Sequence, residues 1–129
     1  MFGLLQQRTF PVYFCLQMAL PLAVLLSHPT AGYDQILATD AAIPMLVTFA
    51  TAAVNLVAVG PATAKIMHER KAQESKEGKK YYDEGEKSPE MKKLNKRFGI
   101  MHGVSSLLNL VGFVATAAYG FALGQKLDM

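Results

Sequence analysis

Three stretches of this chain carry no Asp, Glu, Lys or Arg: Thr9 to Tyr33, Ala41 to Ala64 and Phe98 to Gln125, of 25, 24 and 28 residues. A helix needs about 20 residues to cross the hydrocarbon core of a bilayer, so each stretch is long enough. Backbone polar groups in lipid must be satisfied within the chain, which favours helices. With 129 residues there is room for one unit. The expected fold is therefore all-α, a multi-pass membrane bundle of three transmembrane helices. The spans fall at about 10–27, 41–64 and 98–124, and the charged loop 65–97 forms a helical hairpin extension.

Hydrophobic residues make up 51% of the chain and its mean hydropathy is +0.19, yet the ionisable groups are not spread along it. Lys65 to Arg97 holds 11 of the 13 basic residues and 7 of the 10 acidic ones. Arg8 precedes the first span, and Asp34 and Asp40 lie between the first two. Three crossings put the N-terminus and the charged loop on one side, with 12 of the 13 basic residues. The positive-inside rule assigns that side to the cytosol and the C-terminus to a lumen or the exterior. A cleaved secretory signal over Arg8 and Phe10 to Leu26 fits less well. The apolar run is long, Pro21 interrupts it, and no clean small-x-small site follows. Cys15 is the only cysteine, which excludes an intrachain disulfide.

Local signals place the helix ends. Pro11 suits a first helical turn and Pro21 a kink. His28 to Gly32 reads as a stop and a short turn, and Asp40 as the N-cap of span two. The helical pattern of span two runs on through Met67-His68-Glu69-Arg70-Lys71, so this helix should protrude from the bilayer until Gly78 ends it. Lys79 to Lys87 is the expected flexible tip. Ser88-Pro89-Glu90 supplies an N-cap hydroxyl, Pro at the first helical position and an acid in the first turn. From there one helix of about 35 residues should pass into the bilayer, since no stop signal precedes the glycines near its end.

The two later spans carry matching stripes. His102, Ser105, Asn109, Gly112, Thr116 and Gly120 recur at steps of three and four, which puts them on one helix face. Met91, Leu94 and Phe98 extend that face towards the charged loop. Span two answers with Thr48, Thr51, Asn55, Ala58 and Ala62. Helices in lipid associate through close packing of small residues and interhelical hydrogen bonds, so these stripes should form a polar seam. Asn55 and Asn109 lie at similar depth and are expected to touch or to share a polar partner. Gly99, Gly103, Gly112 and Gly120 are expected sites of close packing, the first two as a Gly-x-x-x-Gly pair and the last with Gly124.

Three blocks carry a likeness to known proteins. The first is Phe2-Gly3-Leu4-Leu5-Gln6 with Phe10-Pro11-Val12-Tyr13-Phe14. The second is Asn55 and Gly60-Pro61-Ala62-Thr63 leading to Met67-His68-Glu69-Arg70. The third is Leu94-Asn95-Lys96-Arg97-Phe98-Gly99 with His102-Gly103-Val104-Ser105-Ser106-Leu107-Leu108-Asn109-Leu110. Together they resemble the transmembrane protein 205-like family, also catalogued as a domain of unknown function. The resemblance implies a helical membrane protein. Members usually have four spans, so this chain is expected to lack the first, as a fragment, through a misassigned start or as a shortened form.

No HExxH, nucleotide-binding loop or CxxC occurs. His102, Ser105 and Asn109 share one helix with no acid beside them, which fits a packed seam better than a catalytic group. Cys15, Met18, Met67, His68, Met101 and His102 could suit a soft metal, but such residues are also ordinary apolar fillers. No catalytic residue, metal or cofactor is expected. Lys92, Lys93, Lys96 and Arg97 stand where anionic lipid headgroups would meet them, while the interleaved acids argue against nucleic acid. The expected function is that of a small membrane scaffold, assembly or trafficking accessory without catalytic activity. It would work in the lipid bilayer as a homo- or hetero-oligomer. The alternative is a transport component with a polar path between spans two and three.

Overall fold

The computed structural model describes residues 2–27 and 42–127, and these are almost entirely helical. The helices are α1 (Phe2–Leu26), α2 (Ala42–Glu77) and α3 (Pro89–Leu127). Each is long and apolar enough to cross a membrane, so the protein is an all-α, multi-pass membrane protein. The expected turn at His28 to Gly32 and the Asp40 cap lie outside the described residues.

The helix α1 starts at Phe2 rather than near Phe10, because Arg8 does not interrupt it. A long side chain can lie along the helix with its charged head out in water. Pro11 consequently stands inside the helix, as does Pro21, and not in its first turn. Such prolines are tolerated in membranes where neighbouring groups take up the freed backbone polarity.

In α2 the Ala42–Val54 segment meets Gly60–Glu77 through a π-helical turn, Asn55–Val59. The Gly60 amide donates to the Asn55 carbonyl, five residues back. Pro61 follows; it has no N–H, and its ring crowds the carbonyl four residues before it. The wider turn offers one way to relieve that crowding. Its cost falls on Gly60, where a Cβ atom would stand 2.8 Å from the Asn55 oxygen. Only glycine fits.

The extension of α2 beyond its apolar half ends at Gly78, whose φ of 65° is left-handed. The expected flexible tip is held by specific bonds. Asp83 accepts from the Lys80 amide at 2.7 Å, and Glu74 accepts from the Tyr81 amide at 3.1 Å. Ser88 then caps α3 by accepting from the Met91 amide at 3.0 Å, as the Ser-Pro-Glu signal anticipates. The Ser88 hydroxyl also donates to the Glu77 carboxylate, which ties the end of α2 to the start of α3.

Both α1 and α3 pack along α2 and barely meet each other. At the end remote from the hairpin, Leu25, Ala42 and Met45 form a buried cluster joined by Val24 and Tyr119. All three helices contribute to that cluster. At the hairpin end α1 and α3 stand apart, with a cleft between them floored by α2.

Candidate functional site

The α2–α3 contact is built on side-chain oxygens and small residues. Asn55 is fully buried, and its Nδ2 donates to the Ser105 carbonyl at 3.3 Å and to Asn109 Oδ1 at 3.5 Å. Both distances are long, so each bond is weak. Nearer the far end, the buried Thr48 hydroxyl lies 3.2 Å from Thr116 Oγ1, 3.3 Å from the Gly112 carbonyl and 3.0 Å from the Pro44 carbonyl. Thr51 donates within its own helix to the Thr48 carbonyl. Its oxygen also presses on Gly112, where a Cβ atom would stand 3.0 Å from it and 3.5 Å from Gln17 Nε2. Atoms of both α1 and α2 therefore lie within 4 Å of a Cβ atom built at Gly112.

Other members of the α3 stripe are placed differently. The exposed His102 stacks on Phe98 one turn away, ring centroids 5.9 Å apart, and faces the cleft. Among the described residues, no atom of another helix lies within 4 Å of a Cβ added at Gly99, Gly103 or Gly120. Of the basic set, Arg97 pairs with Glu69 at 3.1 Å and Lys92 with Glu86 at 3.7 Å, while Lys93 and Lys96 are exposed. No three His, Cys, Asp or Glu side chains converge among the described residues.

The cleft has two connected parts. The inner part, about 440 Å³, is lined mainly by apolar groups including Phe10, Phe14, Leu56 and Pro61, and reaches Asn55 and Ser105. The outer part, about 560 Å³, is the more polar of the two and lies under the hairpin tip, with Arg70, Lys71, Glu74, Lys80 and Asn95 around it. Gln6, Met67, Tyr81 and Phe98 line both. Such volumes are typical of small-molecule sites.

Arg70 is the residue that sequence reasoning missed. Its charge and its place in the protruding part of α2 point to water, yet it is only 7% exposed. Its guanidinium lies 3.7 Å from the Tyr81 ring centroid and 4.4 Å from that of Phe98. The signal was present in the helix period. Asn55, Val59, Ile66 and Arg70 are all buried, and continuing the seam face of α2 at steps of three and four leads to Arg70.

No curated protein and no solved structure matches the chain. One family model does, and its match takes in α1 and most of α2, with Asn55, Gly60-Pro61 and Arg70, ending before the hairpin tip. Because that match covers residues 1–72, more than half of the chain, this multi-pass membrane protein belongs to the family described as a domain of unknown function, DUF4149.

Proposed function

We propose that the protein is a non-catalytic membrane scaffold, an assembly or trafficking accessory that acts through its outer helix faces. The observation that carries this reading is the closed seam. Thr48, Thr51, Gly112 and Thr116 meet by direct contact, which leaves the far half of the α2–α3 interface without a path for a solute. A second support is the open backbone beside Gly99, Gly103 and Gly120, where a helix of another chain or a second copy could approach closely. The transport alternative draws on the cleft, which reaches Asn55 and Ser105 from the hairpin end.

In this reading the N-terminus and the 65–97 hairpin are cytosolic, and the C-terminus lies across the membrane. The support is the 12 of 13 basic residues gathered on one side. The Met67-His68-Glu69-Arg70 and His102 to Leu110 blocks support a likeness to the transmembrane protein 205-like proteins. Lys93 and Lys96 would meet anionic headgroups at the cytosolic surface.

Two measurements separate the readings. Photo-crosslinkers at Gly103 and Gly120 in native membranes should give discrete protein adducts of defined mass. Proteoliposomes should be no more permeable to ions and small polar solutes than empty vesicles. A flux that Asn55→Ala abolishes would replace the scaffold with transport. A reporter on the Tyr81–Tyr82 tip found outside the cytosol would reverse the orientation.

A further inference from the structure

Arg70 carries a charge that its surroundings leave uncompensated. The two acids flanking it in sequence are engaged elsewhere, Glu69 with Arg97 at 3.1 Å and Glu74 with Lys80 at 3.7 Å. Among the described residues Arg70 meets no carboxylate, and its buried Nε has no acceptor. The two aromatic rings stabilise the cation but accept none of its in-plane hydrogen bonds. A buried guanidinium in this state is normally paired, and the planar fork suits a phosphate or carboxylate. The space it borders carries more polar groups than the inner cleft, with Lys71 and the Lys80–Glu74 ion pair also on the wall.

That space continues directly into the apolar cleft between α1 and α3. From Arg70 to Asn55 is fifteen residues of α2, roughly 20 Å at the helical rise, which is about half the full thickness of a bilayer. A headgroup and one acyl chain of a single leaflet span that distance. The walls also present buried polar atoms without partners: Gln7 Nε2 in the inner part can donate to a lipid ester carbonyl, and Asn95 Oδ1 in the outer part can accept from a headgroup hydroxyl.

We propose that the cleft between α1 and α3 holds one anionic phospholipid, its phosphate on Arg70 and an acyl chain against Phe10, Phe14 and Leu56. The placement joins a buried, unpaired cation to a lipid-depth apolar groove. Water-soluble phosphates would use only the first, whereas a zwitterionic lipid, although it carries a phosphate, would bring its own cation to a wall whose charges, Arg70, Lys71, Lys80 and Glu74, are already net positive. The site is independent of the scaffold reading, which concerns the outer faces of the helices. Arg70 also differs from Lys92, Lys93, Lys96 and Arg97, which face outward and would meet any headgroup at the surface.

Native mass spectrometry of the full chain released from vesicles tests this directly. Vesicles of phosphatidylcholine with a minor share of phosphatidylglycerol should yield protein carrying one phosphatidylglycerol. Equal retention of the two lipids by the wild-type chain would overturn the proposal without any mutant. Arg70→Gln should lower that retention by about ten- to a hundredfold, the worth of a charge-assisted hydrogen bond. Lys76→Gln, at an exposed position of α2 outside the cleft lining, should leave it unchanged. Ala64→Trp, which fills the inner cleft and leaves Arg70 intact, should also lower retention. Circular dichroism confirms that each variant keeps its helices. Retention unaffected by Arg70→Gln or by Ala64→Trp in folded protein would sink the proposal, as would displacement of the lipid by glycerol phosphate at equal concentration.

Discussion

A methyl group added at Gly60 would meet the Asn55 carbonyl oxygen at 2.8 Å, and that oxygen belongs to the backbone, which has little freedom to move. Gly60→Ala should therefore force the π-helical turn to rewind and swing the Asn55 side chain off α3. Overpacking of this kind costs about 1–3 kcal/mol, measurable by reversible unfolding in mixed micelles. The Asn55–Asn109 contact itself is weaker. At 3.5 Å, a double-mutant cycle with Asn55→Ala and Asn109→Ala should give a coupling of about 0.6 kcal/mol, the average for such pairs in membranes. The sequence places these two asparagines correctly because depth and helix face are both periodic quantities. Periodicity says nothing about the backbone between Val54 and Gly60. The π-helical turn follows from steric crowding at Gly60-Pro61, which a face-counting argument passes over. Arg70 shows the opposite failure, since its charge outweighed a period that pointed inward.

At the scale of the elements, α3 begins where Ser88-Pro89-Glu90 says it should, with the Ser88 hydroxyl on the Met91 amide. Ser88→Ala should cost about 1 kcal/mol through loss of that cap. It also removes a bond that reaches back to Glu77. Hydrogen bonds from Gln73 and from Ser88, with the nearby Lys79 charge, hold the Glu77 carboxyl below its usual range, against a smaller opposing effect of burial. A carboxyl depressed in the folded state stabilises it fully above the unfolded value, roughly pH 4–4.5, and the effect fades as pH falls through the folded value. Hydrogen exchange of the hairpin amides should accordingly show extra opening only below about pH 4.5, beyond the intrinsic pH dependence of exchange. Glu77→Gln should flatten that response. The four glycines anticipated on α3 make a second contrast between elements. Gly112 meets α2 and α1 at close range, so Gly112→Leu should separate the helices and cost about 1–3 kcal/mol. Gly103 faces open space, and Gly103→Leu should change the stability of the isolated chain by no more than about 0.5 kcal/mol. A sequence stripe marks a face that can be approached, whereas the number of helices available decides how much of it is covered.

For the molecule as a whole, the central position of α2 makes the two ends unequal. The far end is closed by Leu25, Ala42 and Met45 with Val24 and Tyr119, so that residues of α1, α2 and α3 share one cluster. At the hairpin end α3 is fastened to α2 by Ser88–Glu77 and Arg97–Glu69, while α1 faces a cleft. The charge-free stretches anticipated three crossings, but the cleft depends on which helix takes the middle, and apolar length does not encode that. Regions with few packed contacts open more readily than those with many. Spin labels placed on exposed positions of α1 and α3 should detect the inequality. A pair at Leu22 and Phe121, near the shared cluster, should give a narrow distance distribution. A pair at Leu4 and Ile100, on either side of the cleft, should give a broader one under the same conditions. Tyr119→Ala should broaden the first pair without altering the second, because it loosens only the cluster. Equal widths in the wild-type chain would mean that α1 is held along its whole length by α2 alone, and that the far-end cluster adds no restraint of its own.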